Sequence, residues 1–299
     1  MYALACPLNR PSKSDREADG LVGPVQTVQS DVLRPTKIAW LFTIQRRMPH
    51  RCVFYNQAGN KTKVIHYERG SEGSEIYRYH PADRLAEAII QHNSTITRKT
   101  YTYDDSTHRV EIREEIVTKE RTIRRRYIST FNDQGLQIGA GYDDDSSIHL
   151  KAFYQYTYDD DGRVTTIQTY NEKGSRYHKL VFDYDPDGRV IAEASYGPND
   201  TLYEQRAFNY AIDERTEDLL VYKDDNDLHL KDVYRYNDKD NLVEVTAYSA
   251  TSAVLGRTSY TYQYDEIGNW VEKVARSWIV ETGRASSKWT EYQTIRYWQ

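Results

Sequence analysis

The sequence predicts an all-β protein built as an array of antiparallel β-hairpins. Three observations carry this prediction: an aromatic residue recurs at a period near 26 residues, turn-forming residues follow it at fixed offsets, and polar and apolar residues alternate between the turns. A fixed period of this length is typical of repeat arrays, in which each unit buries its apolar face against its neighbours. We expect about nine hairpins in a strongly curved or spiralling sheet, because wide, twisted open sheets tend to curl.

The repeat is anchored on one aromatic position that precedes a turn. This position is occupied by Tyr55, Tyr79, Tyr103, Phe131, Tyr158, Tyr184, Tyr210, Tyr236 and Tyr264. Asp or Asn follows it in most copies, and Gly lies four residues after it in five copies. An Asp or Asn side chain can accept a hydrogen bond from the backbone ahead of it, and Gly adopts positive φ without a steric clash. The pattern predicts a tight hairpin turn, with Asp83, Glu214 and Asp240 replacing glycine where it is missing.

A second turn is predicted about half a period later, where another tyrosine recurs. It follows the first aromatic by 12 residues at Tyr67, Tyr170, Tyr196, Tyr222 and Tyr248. Two turns per repeat leave two strands of ordinary length. The residues between turns alternate with the period of two that strands require. The segment 82–91 has some helical propensity, but its place in the repeat predicts a strand.

The repeat divides the chain into four segments. Residues 1–19 are polar and predict a flexible N-terminal tail, residues 20–50 predict N-terminal capping strands, residues 51–275 form the hairpin array, and residues 276–299 predict a C-terminal capping hairpin. Capping segments are expected because the open edges of a repeat array would otherwise pair with other chains.

Composition excludes several classes of function. The 45 acidic and 40 basic residues give a net charge of −5, which does not favour nucleic-acid binding. Cys6 and Cys52 form no disulfide framework, which favours the cytoplasm, and no apolar run predicts membrane insertion. The eight histidines lack zinc-site spacing, and neither a phosphate loop nor a nucleophile elbow is present. We therefore expect no cofactor, no metal and no enzymatic activity.

Two stretches carry a resemblance to a known repeat family. Residues 156–163 read Tyr-x-Tyr-Asp-x-x-Gly-Arg, and residues 262–270 read Tyr-x-Tyr-Asp-x-x-Gly-Asn-Trp. This pattern resembles the tyrosine-aspartate (YD) repeat of Rhs-type bacterial proteins, and the resemblance covers about residues 51–275. In large members of that family the hairpins coil into a hollow shell around a toxin domain. The resemblance implies a short, free-standing member without a toxin domain.

Two acidic loops fall outside the repeat pattern and are the candidate partner-binding residues. They contain Asp143, Asp144 and Asp145 in the first loop and Asp224, Asp225 and Asp227 in the second. Both loops are expected on the second-turn edge, where they would form an acidic rim that could meet a basic partner. Together with the resemblance, this rim predicts a non-enzymatic cytoplasmic immunity protein or antitoxin that occludes a cognate toxin encoded nearby. The sequence predicts no oligomeric state.

Two other functions stay open on the sequence. An envelope-associated repeat protein could bind glycans through exposed Tyr and Trp rings, which would require an export signal upstream of the given start. A shell-like chaperone could hold a secreted toxin, which would require a concave interior.

Overall fold

The computed structural model describes residues 14–39, 42–68, 71–81, 83–144, 152–211, 216–223, 227–279 and 284–299. Nearly all of the described chain is β-structure. The exceptions are a helical turn, α1 (Asp15–Ala18), and a short 3₁₀ turn at Pro198–Asp200. Most of the segment 82–91 expected as a strand belongs to β5.

The strands follow in chain order. The first ten are β1 (Val25–Ala39), β2 (Phe42–Tyr55), β3 (Lys61–Glu68), β4 (Ser71–Tyr79), β5 (Leu85–His92), β6 (Thr95–Asp104), β7 (Arg109–Val117), β8 (Thr122–Phe131), β9 (Gln137–Asp144) and β10 (Ala152–Tyr158). The others are β11 (Val164–Asn171), β12 (Arg176–Tyr184), β13 (Val190–Tyr196), β14 (Leu202–Ala211), β15 (Thr216–Lys223), β16 (Asp227–Tyr236), β17 (Leu242–Ser249), β18 (Val254–Tyr264), β19 (Trp270–Ile279) and β20 (Arg284–Tyr297).

The twenty strands form one closed antiparallel sheet, a β-barrel by its hydrogen-bond pairing. Strands adjacent in sequence pair with each other, and β1 also pairs with β20, from Val25 opposite Tyr297 to Val32 opposite Glu291. The predicted open, strongly curved or spiralling sheet is therefore wrong. The segments expected to cap two separate edges instead pair with each other, which leaves neither of them as an unpaired edge strand.

Asn269 secures the segment that leads into the closing pair. The Val22 N–H donates to Asn269 Oδ1 (2.7 Å), and Asn269 Nδ2 donates to the Val22 carbonyl (2.8 Å) and to the Tyr297 hydroxyl (2.8 Å). The Tyr297 hydroxyl in turn donates to Asp265 Oδ2 (2.5 Å). Burial and the Asp265 carboxylate raise the pKa of the Tyr297 phenol, so the hydroxyl keeps its proton. One buried side chain thus joins both chain ends to the last hairpin turn.

The chain divides into two compact units. Unit 1 comprises residues 1–151, 262–273 and 289–299, and unit 2 comprises residues 152–261 and 274–288. In unit 1 the two faces of the sheet differ clearly. On β7, Val110, Ile112 and Glu114 are buried, whereas Arg113 and Val117 are exposed. We call these the buried face and the exposed face of unit 1.

The hairpin turns have the chemistry expected from the sequence. Asp159 N–H donates to the Arg163 carbonyl, and Asp159 Oδ1 accepts from Asp161 and Arg163 N–H. Gly162 has a φ of 78°, a conformation that a Cβ would disfavour. Asp83 and Asp240 adopt positive φ in the positions where glycine is missing, as expected. Glu214 lies outside the described residues.

Several of the anchoring tyrosines also fasten one repeat to the preceding one. In these, the hydroxyl donates to the carbonyl of the residue that begins the strand after the preceding turn. The bonds are Tyr79 to Lys61 (2.7 Å), Tyr103 to Leu85 (2.9 Å), Tyr184 to Val164 (2.7 Å) and Tyr210 to Val190 (2.8 Å). The arginine after the turn covers the ring, as Arg163 does over Tyr184 at 5.1 Å from the ring centroid. The repeat is therefore held by side chains as well as by backbone pairing.

The N-terminal segment, expected as a flexible tail, is described from Ser14 onward. Ser14 caps α1, and Glu17 completes a capping box with the Ser14 backbone. The Arg16 N–H donates to the Gly59 carbonyl (2.9 Å), and Asp15 Oδ2 accepts from the Lys61 N–H (2.8 Å). Residues 14–19 thus dock on the first hairpin turn.

The core of unit 1 lies on its buried face, in two apolar clusters. One contains Leu21, Val25, Val28, Val53, Tyr55 and Val64, and the other contains Ala88, Tyr101, Val110, Ile112 and Phe131. Few Leu and Ile residues contribute, so tyrosine rings supply much of the packed area.

A buried carboxylate, Glu114, lies on the same face beyond the second cluster. It accepts from Lys99 Nζ (3.2 Å), Arg125 Nη1 (3.4 Å) and the Tyr127 hydroxyl (3.0 Å). Burial and the Glu114 carboxylate raise the pKa of the Tyr127 phenol, which stays protonated as a donor. Two cations and a hydroxyl therefore compensate for the desolvation of one carboxylate.

Replacement of Glu114 by Ala should lower the free energy of unfolding by about 3–5 kcal/mol, because it leaves Lys99 and Arg125 without their shared anion on a buried face. Equilibrium unfolding in urea measures this change. The matched control is Glu115→Ala on the next residue, which is 39% exposed and paired with Arg124, and which should cost under about 1 kcal/mol. Equal losses in both variants would contradict the assignment of the two faces.

The turn carboxylates predict how stability depends on pH. Hydrogen bonds from Ser106 and Thr107 lower the pKa of Asp104 to about 2. Although desolvation opposes the shift, hydrogen bonds from Arg189 hold the pKa of Asp185 below its ordinary value. Because both pKa values are lower in the folded state, the stabilisation is complete above the unfolded pKa of about 4 and is lost as pH falls through the folded values.

The double variant Asp104→Asn, Asp185→Asn keeps an acceptor in each turn and removes the titrating group. Its thermal unfolding midpoint should fall less steeply than that of the wild type as the pH is lowered from about 4 to about 2. Asp160→Asn, at an exposed position of another turn, is the control. The same acid dependence in the double variant and the wild type would refute the prediction.

Candidate ligand-binding groove

A groove lies across three neighbouring strands of unit 2, β16, β17 and β18. Its volume is about 370 Å³, which is within the range of small-molecule sites. It is lined by Val233, Arg235, Glu244, Thr246, Tyr248, Val254 and Arg257. The lining combines an ionic centre with an aromatic and aliphatic end.

Two turns position the lining residues. In the β16–β17 turn, Asn237 Oδ1 accepts from the Asn241 N–H (3.0 Å), and Arg235 and Glu244 then face each other across the two strands. In the β17–β18 turn, the Ser249 N–H donates to the Ala253 carbonyl (2.8 Å), and a register shift brings Tyr248 opposite Val254. Arg235 lies between Tyr234 and Tyr236 in sequence, so it belongs to the opposite face from these rings.

The ionic centre is one carboxylate shared by two arginines. Glu244 Oε1 accepts from Arg235 Nη1 (3.5 Å), and Oε2 accepts from Arg257 Nε (2.6 Å). The side chain of Glu244 is only 14% exposed, whereas each arginine side chain is 54% exposed. The carboxylate therefore lies beneath the guanidinium groups, and the groove presents positive charge to solvent.

The rest of the lining is suited to a ring with polar edges. Tyr248, Val233 and Val254 supply aromatic and aliphatic surface, and Thr246 is buried with its hydroxyl 3.4 Å from Glu244 Oε1. A guanidinium presents several N–H donors in a plane that matches a carboxylate or phosphate. The groove can therefore bind a small anionic ligand that also offers a flat apolar surface.

The same ionic arrangement occurs once more, at the equivalent strand positions of unit 1. Arg78 faces Glu87 across β4 and β5, and the two side chains form an ion pair. Arg98 on β6 also reaches Glu87, with 3.3 Å between Nε and Oε1. In both units the first arginine precedes the anchoring tyrosine by one residue and the glutamate follows it by eight. Of the nine copies, only those anchored on Tyr79 and Tyr236 carry both residues, so the motif distinguishes these two hairpins from the rest of the repeat.

The acidic rim expected from the sequence is not a free surface where the structure describes it. Asp143 is 9% exposed and is bonded to Arg126 through Nε (3.2 Å) and Nη2 (2.5 Å). Asp144 ends β9 and Asp227 begins β16, but the structure does not describe their side chains. Asp145, Asp224 and Asp225 lie outside the described residues.

These findings correct the prediction of a cytoplasmic hairpin-repeat protein acting as an immunity protein or antitoxin. That interpretation depended on an open curved sheet with an acidic rim. The sheet is closed, and the carboxylate of Asp143 is neutralised by Arg126.

Sequence reasoning missed the groove because its ionic centre comes from three different strands. Arg257 belongs to a later repeat than Arg235 and Glu244, and it reaches Glu244 only because Thr246 pairs with Arg257. The detectable signal was the pair of offsets, arginine at −1 and glutamate at +8 from the anchoring tyrosine, which recurs at Arg78 and Glu87.

Among the described residues, no group of three or more His, Cys, Asp or Glu side chains is arranged to hold a metal ion. No helix in the described part of the chain is long and apolar enough to cross a membrane.

Comparisons with known proteins give similar structures at low sequence identity. No family model and no curated protein sequence matches the chain. A porin-like protein from Bacteroides uniformis is similar at 12% identity with a TM-score of 0.44, covering 92% of this chain and 98% of the other. A porin-like protein from Bacteroides vulgatus is similar at 11% identity with a TM-score of 0.21, covering 91% and 98%. The Tc holotoxin pore of Photorhabdus luminescens is similar at 12% identity with a TM-score of 0.30, covering 80% of this chain and 16% of the other.

Proposed function

We propose that the protein is a non-enzymatic, envelope-associated binding protein that takes an acidic sugar in the groove of unit 2. The observation that carries this proposal is the composition of the groove. The half-exposed guanidinium groups of Arg235 and Arg257 cover the mostly buried carboxylate of Glu244, and Tyr248 lines the same groove. A carboxylated sugar ring offers an anionic edge for the arginines and a C–H face for the aromatic ring.

The geometry of the arginines supports binding of an anion over a purely structural ion pair. Arg235 and Arg257 share one carboxylate, so the local charge of the three groups is +1. Glu244 holds both side chains in place before a ligand arrives, which reduces the entropy lost on binding. Charge-assisted hydrogen bonds to the ligand are stronger than neutral ones, so this pair can anchor the anionic group.

The ligand class leads to the proposed location, because acidic sugars are components of cell envelopes. The proposal therefore replaces the cytoplasmic location expected from the cysteine count with the envelope. Protease treatment of intact and of lysed cells tests this part directly. Degradation only after lysis, with full protection in intact cells, would favour the cytoplasm over the envelope as the location of the protein.

Calorimetric titration with a short oligogalacturonate tests the groove. The wild type should bind, and Arg257→Gln should weaken binding about tenfold or more, because a charge-assisted bond contributes about 1.5–3 kcal/mol. Glu244 keeps Arg235 in this variant, so the fold is retained. Tyr248→Ala should weaken binding by a similar factor through loss of the ring surface.

The matched control is Arg98→Gln, which changes the equivalent ionic motif in unit 1 and leaves the groove intact. Its affinity for the short oligosaccharide should equal that of the wild type. The proposal fails if the wild type does not bind the oligogalacturonate, or if Arg98→Gln weakens binding as much as Arg257→Gln does.

A further inference from the structure

The exposed face of unit 1 carries a strip of arginines that the proposed function does not use. We call it the arginine strip. Its members are Arg78 on β4, Arg98 on β6, Arg109 and Arg113 on β7, and Arg124 and Arg126 on β8. It crosses five neighbouring strands, which corresponds to about 19 Å at the usual strand spacing.

The strip presents cations outward because its counter-charges lie beneath it. The carboxylates on the same face are Glu87, Asp104, Glu111, Glu115 and Asp143. The side chains of Glu87 and Glu111 are each 19% exposed, whereas Arg113 is 75% exposed. A long arginine side chain extends beyond a short carboxylate on the same sheet face, so a partner meets guanidinium groups first.

The numbers of charges are also unequal. Glu87 accepts from both Arg78 and Arg98, and Glu111 accepts from both Arg109 and Arg113. A guanidinium has five N–H donors, and a carboxylate shared by two of them cannot occupy all of these donors. Six arginines and five carboxylates, the fifth being Asp104 opposite Arg109, give a local charge of +1 on a chain whose net charge is −5. The strip therefore has the opposite sign from the protein as a whole.

The shape and side chains of the strip indicate which polyanion fits. Its uncharged neighbours are Thr100 and Thr102, which are exposed between the arginines, and Ile96 and Val117, which are exposed at one end of the strip. Proteins that bind single-stranded nucleic acid stack the bases on aromatic side chains, and a membrane surface favours amphipathic apolar and aromatic anchors. Threonine hydroxyls between guanidinium groups instead suit a hydroxyl-rich polymer with regularly spaced carboxylates.

We propose that the arginine strip of unit 1 binds an extended acidic polysaccharide. It is a second surface, separate from the groove in residues and in the length of ligand it takes. The strip and the groove share only the class of ligand, so the proposal for one surface can be wrong while the proposal for the other is right. Binding across several arginines is polyelectrolytic, and its affinity falls steeply with salt because counterions are released.

Binding of long-chain alginate, a polyuronate without bases or lipid, tests the proposal on the full chain at several salt concentrations. The double variant Arg98→Gln, Arg113→Gln removes two guanidinium groups while Glu87 keeps Arg78 and Glu111 keeps Arg109. We expect at least tenfold weaker binding at low salt. The slope of log affinity against log salt should fall by about one for each guanidinium removed, as for other polyanions.

The control for this surface is Arg206→Gln in unit 2, which lies outside both the groove and the strip and should keep the alginate affinity and salt slope of the wild type. Unchanged alginate binding in the double variant, or no binding by the wild type at low salt, overturns the proposal. Tighter binding to single-stranded DNA than to alginate would reassign the strip to nucleic acid. Preferential capture by vesicles of anionic phospholipid would reassign it to a membrane surface.

Discussion

The hydrogen-bonded pairing of β1 with β20 is the constraint on which the rest of the sheet depends. A repeat array can in principle continue at either end, and its terminal strands then expose unpaired backbone groups. Here the Trp298 N–H donates to the Pro24 carbonyl (2.8 Å), and the register continues through Val28 opposite Ile295. Asn269 completes the junction by bonding both Val22 and Tyr297. The terminal strands are therefore each other's partner.

Closure is also what the sequence could not predict, and the reason is physical. The repeat signature specifies local turns: Gly162 and Asp240 occupy positive φ where the pattern requires it, and Arg125 falls on the opposite face from Arg124 and Arg126, as alternation demands. The closing pair joins residues more than 250 positions apart. Neither β1 nor β20 carries the repeat motif, so the periodicity of the sequence does not predict that these two strands pair. Local chemistry fixes the hairpins, whereas closure depends on the pairing of two strands from opposite ends of the chain.

The candidate site could likewise be predicted only in part from the sequence. Aromatic and charged positions within the strands were visible, but their meaning depends on cross-strand register. Glu244 is shared by Arg235 and Arg257 only because a bulge and two turns set the pairing of three strands. The acidic residues that escaped the repeat drew attention in the sequence, yet Asp143 is neutralised by Arg126. Residues inside the repeat instead supply the groove and the arginine strip. In both, a long arginine side chain extends beyond the shorter carboxylate with which it is paired, so the ion pair still presents positive charge to solvent.

The most direct test of the closed sheet is a disulfide across the closing strands. In a background without Cys6 and Cys52, Gln29→Cys with Thr294→Cys places the two cysteines at directly paired positions, where Cα atoms about 4.5–5.5 Å apart allow a disulfide. The closed sheet predicts an intramolecular disulfide, seen as a mass loss and a mobility shift, with a thermal unfolding midpoint at least as high as that of the reduced form. Gln29→Cys with Arg296→Cys, two residues out of register, should oxidise poorly. A folded Gln29→Cys, Thr294→Cys variant that keeps both thiols free, or oxidises no faster than the out-of-register pair, would contradict the closure.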